Sequence, residues 1–238
     1  MMMLTTSAPT PAPDIAPQSA PDLSLGFDPY NFQAVRDRLR LRLMSEDLHP
    51  DVGERFYSFR VGQTDLFAII SLDVSSLAPE RSAYMLASPA VRDAWREQGY
   101  TDDTVWAAAL DAETVHGYSV RALWEVLRDI QPDFEDTPAL HEGLPLYAVT
   151  TRGEPAFGAA GILLSSVQEA VHDRCGESAY IIPASIHETL AMPAVCAPDA
   201  PDLVEMVQSI NASVVDPREV LSNHVYRLDR GSTLTTVL

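Results

Sequence analysis

The chain has 238 residues, of which 46% are hydrophobic, and its mean hydropathy is -0.03. This length and composition allow one sizeable core or two small ones. They argue against both a membrane protein and a wholly disordered chain. Its formal net charge is -18, and we expect no nucleic-acid partner, because affinity for phosphate backbones comes from clustered cations. All 16 basic residues are arginine, which excludes mechanisms that need a lysine as a Schiff base, in a phosphate loop or in a Ser-x-x-Lys acylation site.

Residues 1–27 are predicted to form a disordered tail rich in proline and alanine. Prolines recur every few residues there and prevent both a helix and a strand ladder. The segment lacks the basic and apolar regions of a secretory signal, and no stretch approaches the about 20 apolar residues of a membrane span, so we expect no membrane partner. Cys175 and Cys196 are too few for a disulfide framework and indicate reduced thiols in the cytoplasm.

Residues 28–100 are predicted to form a helix, a hairpin and a second helix. From Asp28 to Met44, apolar residues recur at helical spacing. On this helix the basic residues of the segment would flank the apolar stripe and pair with acidic surface elsewhere; they are Arg36, Arg38, Arg40 and Arg42. The predicted hairpin joins strands 54–61 and 65–72 at Gly62-Gln63, and the second helix spans 89–98.

Residues 101–238 are predicted to mix strands and helices without strict alternation, which favours an α+β fold with a mixed sheet and packed helices. The sequence does not decide whether this region and 28–100 are one domain. The predicted strands are 105–110, 145–150, 156–164, 179–182 and 224–228, and the predicted helices are 119–130, 165–175, 202–210 and 217–222.

Three blocks of the second half carry a resemblance to a known family. They read LPLYAVTTRGEPAFGAAGILL, YIIPASIHETLAMP and LVEMVQSINASVVDPREVLSNHVYRLDR, and their order and spacing agree as well as their residues. Over residues 104–230 the chain resembles the bacterial family known as domain of unknown function 5688. The resemblance implies a cytoplasmic bacterial protein, and it implies no reaction, cofactor or ligand.

The most chemically suggestive segment is 183–188, where Ser185, His187 and Glu188 bring a hydroxyl, an imidazole and a carboxylate within four residues. Neighbours in sequence rarely meet with the geometry that a nucleophile and its base require, and the segment has neither a Gly-x-Ser-x-Gly nor a His-Glu-x-x-His pattern. We favour a turn whose serine and histidine bond to nearby backbone. The alternative is a catalytic site of Ser185, His187, Glu188 and His224.

Neither a metal site nor a cofactor is predicted. His172 and Cys175 share a helix face, but no second pair of ligands accompanies them, as it does in structural zinc sites. Gly158 and Gly161 do not form a phosphate loop, because they lie inside a predicted strand and no lysine follows them. They indicate close packing of another element.

Together these patterns predict a non-enzymatic binding or regulatory module with an acidic surface and a protein partner. Two alternatives stay open. The first is a hydrolase-like or metal-assisted enzyme centred on His187 and Glu188. The second is an acidic DNA mimic that inhibits a nucleic-acid enzyme, in which Asp102-Asp103, residues 133–136 and Glu142 would form a contiguous row.

Overall fold

The computed structural model describes residues 26–77, 83–130, 145–152 and 157–237. All of the predicted tail except its last two residues lies outside these ranges. Residues 133–136 and Glu142, which the DNA-mimic alternative placed in an acidic row, also lie outside them. Within them the chain forms two antiparallel sheets with helices packed against them, which confirms the α+β class.

The first sheet is centred on β3. Strand β1 covers one edge of β3, and β2 and β4 pair with successive parts of its other edge, all antiparallel. This arrangement confirms the predicted hairpin, which β2 and β3 form. The strands are β1 (Leu39–Ser45), β2 (Ser58–Arg60), β3 (Leu66–Asp73) and β4 (Tyr84–Leu86).

The long helix predicted over residues 28–44 is wrong. One helical turn, α1 (Phe32–Val35), and a 3-10 turn (Arg36–Arg38) lead directly into β1. The three leucines of β1 are at most 3% exposed, whereas the residues between them are half-buried. This alternation is the two-residue period of a strand, and in residues 39–43 it outweighs the looser helical spacing.

Three further helices belong to the first half of the fold: α2 (Val52–Arg55), α3 (Pro89–Glu97) and α4 (Asp102–His116). The helix predicted at 89–98 is therefore confirmed, whereas the strand predicted at 105–110 is wrong, because it lies inside α4. Thr101 begins α4 by accepting a hydrogen bond from the Thr104 N–H. The buried residues of α4 follow at intervals of four; they are Val105, Ala109 and Glu113.

The second sheet has six strands in the order β10-β9-β7-β8-β6-β5, and all its ladders are antiparallel. In place of the mixed sheet expected from the sequence there are thus two antiparallel sheets, and an isolated parallel bridge joins Gln63 to Thr235. The strands are β5 (Tyr118–Ala122), β6 (Tyr147–Thr151), β7 (Ser178–Ser185), β8 (Glu188–Pro193), β9 (Tyr226–Asp229) and β10 (Thr235–Thr236).

The helices of the second half correct several predictions. The helix predicted at 119–130 contains only α5 (Leu123–Ile130), because β5 takes its first residues. The strand predicted at 156–164 is a 3-10 helix (Gly158–Leu163), and no helix forms over the described residues 217–222. The other two predicted helices are confirmed as α6 (Ser165–Cys175) and α7 (Ala200–Ser213).

The close packing predicted for the two glycines of the 3-10 helix is confirmed. A Cβ at Gly158 would overlap the carbonyl oxygen of His187, and a Cβ at Gly161 would overlap the ring of Tyr118. The 3-10 helix therefore lies directly against the second sheet.

One buried cluster includes residues from both sheets, among them Leu41, Ile70, Trp95, Val149 and Ile181. A smaller cluster lies under α7. The division of the chain near residue 100 stays a prediction. Among the described residues, no helix combines the length and apolar character that crossing a membrane requires.

Candidate functional site

The predicted site residues Ser185, His187 and Glu188 lie at the hairpin between β7 and β8. The Ser185 hydroxyl accepts a hydrogen bond from the His187 N–H at 3.0 Å, and the Ile186 N–H donates to the carbonyl of Glu219 at 2.9 Å. This is a turn in which the serine bonds to nearby backbone, as the favoured interpretation expected. The catalytic role of the three residues stays a prediction.

The ring of His187 has partners from two other segments. Its Nδ1 accepts a hydrogen bond from the Phe157 N–H at 3.2 Å, and its Nε2 lies 3.6 Å from Glu219 Oε1. Because Nδ1 accepts, the proton of the neutral ring is on Nε2, facing the Glu219 carboxylate. The imidazole therefore has other partners than the Ser185 hydroxyl. Burial raises the pKa of the neighbouring Glu188 carboxyl.

His224, the fourth predicted site residue, contacts a different set of side chains. Its Nε2 lies 2.6 Å from Asp47 Oδ2. The nearest ligand-type atoms of Asp47, Asp65 and His224 all lie within 4.8 Å of one another. Neither aspartate could be predicted as a site residue from the sequence, since no spacing motif joins three residues from such distant parts of the chain.

Arg42 is the most unusual charged residue near the His187 turn. Its guanidinium carbon lies 3.4 Å from the centroid of the Phe157 ring and 4.8 Å from that of Tyr84. Its Nε is buried without a hydrogen-bond partner among the described residues, and no salt bridge joins it to an acid of the described ranges. Burial lowers the pKa of Arg42 to about 10.

The backbone of Phe157, which positions its aromatic ring, is strained. Its φ of 59° and ψ of 29° are left-handed, a conformation that non-glycine residues rarely adopt. The hydrogen bond from its N–H to His187 fixes this conformation, and Gly158 next to it allows the chain to pack against the His187 turn. The turn therefore determines where the Phe157 ring contacts Arg42.

A cavity of about 70 Å³ opens beside Arg42 and Phe157. Apolar side chains form much of its wall, including Ile186, Val220 and Leu221. The other arginine of the wall, Arg218, is 85% exposed and already paired with Asp216 at 2.7 Å. Arg42 is therefore the arginine of this wall that lacks a carboxylate partner in the described part of the chain.

On its other side Arg42 lines a water-sized cavity of about 10 Å³ together with Glu113 and Tyr118. The Glu113 carboxylate accepts hydrogen bonds from the Leu41 N–H at 2.5 Å and the Tyr118 hydroxyl at 2.6 Å. Because β1 is the edge strand of the first sheet, Glu113 satisfies an N–H that no neighbouring strand reaches. Burial raises the pKa of this carboxyl.

Sequence reasoning did not select Arg42, Tyr84 or Phe157 as site residues. The alternation of leucine and arginine over 39–43 is a strand signal that would have put Arg40 and Arg42 on one face of the sheet. No local pattern predicts which rings this face meets, because they come from distant segments.

The chain was compared with family models, with curated proteins and with solved structures. The model of a family of unknown function, DUF5688, matches residues 15–230. The match extends well beyond the resemblance at 104–230 and includes β1 with Arg42 as well as the His187 turn. The comparisons with curated proteins and with solved structures found no match. The chain therefore belongs to the family of unknown function DUF5688.

Proposed function

We propose that the protein is a non-enzymatic binding module whose ligand is a small carboxylate with a short apolar body, bound in the cavity beside Arg42. The observation that carries the proposal is the half-buried guanidinium of Arg42, which no acid of the described ranges neutralises in a chain of net charge -18. A carboxylate would supply the missing negative charge, and the apolar wall would accept the rest of the ligand.

Burying the Arg42 charge without an acidic partner costs free energy. Transfer of an ionised group away from water is unfavourable by several kcal/mol unless a partner compensates it. Contacts with aromatic rings return about 2 kcal/mol when the cation is desolvated, but rings supply no oxygen acceptors for the five N–H donors of a guanidinium. The planar fork of arginine matches the two oxygens of a carboxylate, which makes this ligand class the best fit.

A cytoplasmic bacterial location belongs to the same proposal. Two observations support it: the family resemblance, and the two cysteines, which are both free although Cys196 is exposed. An acidic outer surface is consistent with the net charge of -18. The protein partner expected from the sequence remains a prediction.

The two alternatives receive less support. For the enzyme centred on His187 and Glu188, both ring nitrogens of His187 face Phe157 and Glu219. For the DNA mimic, Asp102 is paired with Arg96 at 2.6 Å and accepts a hydrogen bond from Tyr57, so its charge is not free to imitate a phosphate. We therefore rank ligand binding at Arg42 above both.

Calorimetric titration of the full chain tests the proposal. The probes are acetate, butyrate and inorganic phosphate, with butylamine as a cation of similar shape. We expect saturable binding of butyrate at one site, weaker binding of acetate because it lacks the apolar body, and no binding of butylamine. Arg42→Gln should weaken butyrate binding at least tenfold.

Arg38→Gln is the matched control, because Arg38 lies on the preceding turn and contacts the ring of Phe27 at 4.9 Å, away from the cavity. It should bind butyrate as the wild type does. Failure of every anion to bind, or equal affinity of the wild type and Arg42→Gln, would overturn the proposal. Preferred binding of phosphate would replace the carboxylate by a phosphate ligand, and chemical change of the bound probe would favour the enzyme alternative.

A further inference from the structure

Three potential metal ligands converge on one side of the first sheet. Asp47 follows the end of β1, Asp65 precedes β3 and His224 precedes β9. One ligand atom from each residue lies within 4.8 Å of the other two. None of the three contributes to the wall of the Arg42 cavity.

The pairing of the strands explains why the two aspartates meet. Ser45, the last residue of β1, is paired with Leu66, the first residue of β3, so the residues beyond this pair lie next to each other. A backbone hydrogen bond from the Glu46 N–H to the Asp65 carbonyl, 2.8 Å long, extends the contact. The two carboxylates are therefore held close despite their like charge.

Asp65 is oriented by three hydroxyl groups from different segments. Ser45 and Ser222 donate to its Oδ2 at 2.5 and 3.2 Å, and Tyr226 donates to its Oδ1 at 2.8 Å. Hydrogen bonds of this kind leave lone pairs of the carboxylate unused and fix its direction, as the groups around metal ligands commonly do.

The segment from Ser222 to Tyr226 brings the histidine to the aspartates. The Ser222 hydroxyl accepts a hydrogen bond from the His224 N–H at 3.1 Å, and its oxygen lies 2.6 Å from that of the Tyr226 hydroxyl. Ser222 and Tyr226, two residues before and after His224, are thus hydrogen-bonded to Asp65, and the imidazole lies beside Asp47. The arrangement of the ligands is built by the fold.

We propose that Asp47, Asp65 and His224 form a three-ligand site for a divalent transition-metal ion, with zinc as the best fit. Two carboxylates balance the charge of the ion, and an imidazole favours zinc over magnesium or calcium, which prefer oxygen ligands alone. The side chain of Asp47 is 59% exposed and that of His224 is 29% exposed, so water can complete the coordination.

The ligand atoms need small adjustments to accept the ion. Ligand atoms on a tetrahedral zinc ion lie about 3.3 Å apart, as bond lengths of about 2.0 Å require. The His224 and Asp47 atoms are 2.6 Å apart, and rotation of the exposed Asp47 side chain separates them. All three ligand atoms lie within 4.8 Å of one another, so small rotations of the Asp47 and His224 side chains bring them to this spacing around Asp65.

Titration of the chelator-treated full chain with zinc tests this site. We expect one zinc ion per chain and weaker binding of magnesium. Asp47→Asn and His224→Gln should each weaken zinc binding at least tenfold. These two variants spare Asp65, whose hydrogen bonds join several segments, and thermal melts without metal check that both fold like the wild type.

The controls use residues that offer a ligand atom elsewhere. His49→Gln changes a half-buried histidine on the same turn, and Cys196→Ser removes the exposed thiol. Both should bind zinc as the wild type does. Substitution with cobalt should give absorption bands of an oxygen and nitrogen site. The proposal would be overturned if the wild type binds no zinc at micromolar concentration or if Asp47→Asn and His224→Gln bind zinc as tightly as the wild type. Loss of binding in Cys196→Ser, or a thiolate charge-transfer band with cobalt, would also overturn it.

Discussion

The guanidinium carbon of Arg42 lies 3.4 Å from the centroid of the Phe157 ring. This contact joins the edge strand of the first sheet to the residue that begins the 3-10 helix of the second half. Phe157 has a left-handed backbone whose N–H is bonded to His187, so the position of the ring depends on a third segment. An uncompensated cation, a strained residue and a hairpin turn are thus parts of one arrangement.

The charge of Arg42 should lower the stability of the ligand-free protein. We expect Arg42→Met to raise the free energy of unfolding by about 1 kcal/mol, because a flexible apolar side chain of similar length replaces a half-buried cation without an acidic partner in the described ranges. The variant should also lose any stabilisation by butyrate. Urea unfolding with and without butyrate measures both effects.

Arg38→Met is the matched control for that experiment, since Arg38 lies near β1 outside the cavity. Its effect should stay within about 0.5 kcal/mol, as for most surface substitutions. A large loss of stability in Arg42→Met would contradict the argument, because it would mean that the aromatic contacts outweigh the cost of burying the charge.

The pH dependence of stability should reflect Glu113. Burial raises its pKa in the folded protein above the ordinary value of 4.5. The folded state therefore keeps the proton to higher pH than the unfolded chain, and the stability that Glu113 contributes is fully present below pH 4.5 and is lost as the pH rises through the folded pKa. The free energy of unfolding of the wild type relative to Glu113→Gln should fall from pH 4.5 towards neutrality.

Urea unfolding of both proteins over this pH range measures the difference, and Glu97→Gln, at an exposed position, controls for the loss of one negative charge. Glu113→Ala should behave differently. It leaves the Leu41 N–H and the Tyr118 hydroxyl without their acceptor and should cost about 3 kcal/mol. A difference between wild type and Glu113→Gln that grows with rising pH would contradict the assigned direction of the pKa shift.

Gly158 should tolerate no side chain. A Cβ there would overlap the carbonyl oxygen of His187 and lie 2.8 Å from the Thr151 N. These backbone atoms belong to β6 and to the turn between β7 and β8, which cannot move independently. We expect Gly158→Ala to lower the free energy of unfolding by about 2 to 3 kcal/mol, the usual cost of overpacking. Butyrate binding should weaken as well, because the Phe157 ring depends on the same packing.

Gly53→Ala provides the comparison. Gly53 is exposed in α2, and an added Cβ would meet only the edge of the Phe67 ring at 3.3 Å, a side chain that can shift. Its effect on stability should stay below about 1 kcal/mol. Similar stabilities of the two variants would show that the Gly158 turn has room to relax.

Many elements of the fold could be predicted from the sequence because their signals are local. Gly62-Gln63 between two apolar runs predicts the hairpin of β2 and β3, and proline at the start of 89–98 predicts α3. The helices α6 and α7 and the strand at 179–182 were predicted for the same reason. In each of them a turn or cap residue lies next to a clear apolar pattern.

The wrong predictions lie where two periods compete or where the apolar run is short. Residues 28–44 contain both a helical spacing and the Leu-Arg alternation, and pairing with β3 selects the strand. The apolar run at 105–110 is helical because Thr101 caps α4 and Glu113 binds the edge of β1. In 156–164 small residues that suit a buried strand form a 3-10 helix pressed against the second sheet.

Local patterns were sufficient to predict the α+β class and the turn at Ser185 and His187, and the resemblance of three sequence blocks was sufficient to predict the family. They did not predict the contact of Arg42 with Phe157, or the cluster of Asp47, Asp65 and His224. The physical reason is the range of the interactions. Caps, turns and periodicity act over a few residues, whereas these two clusters form when strand pairing and packing bring distant segments together.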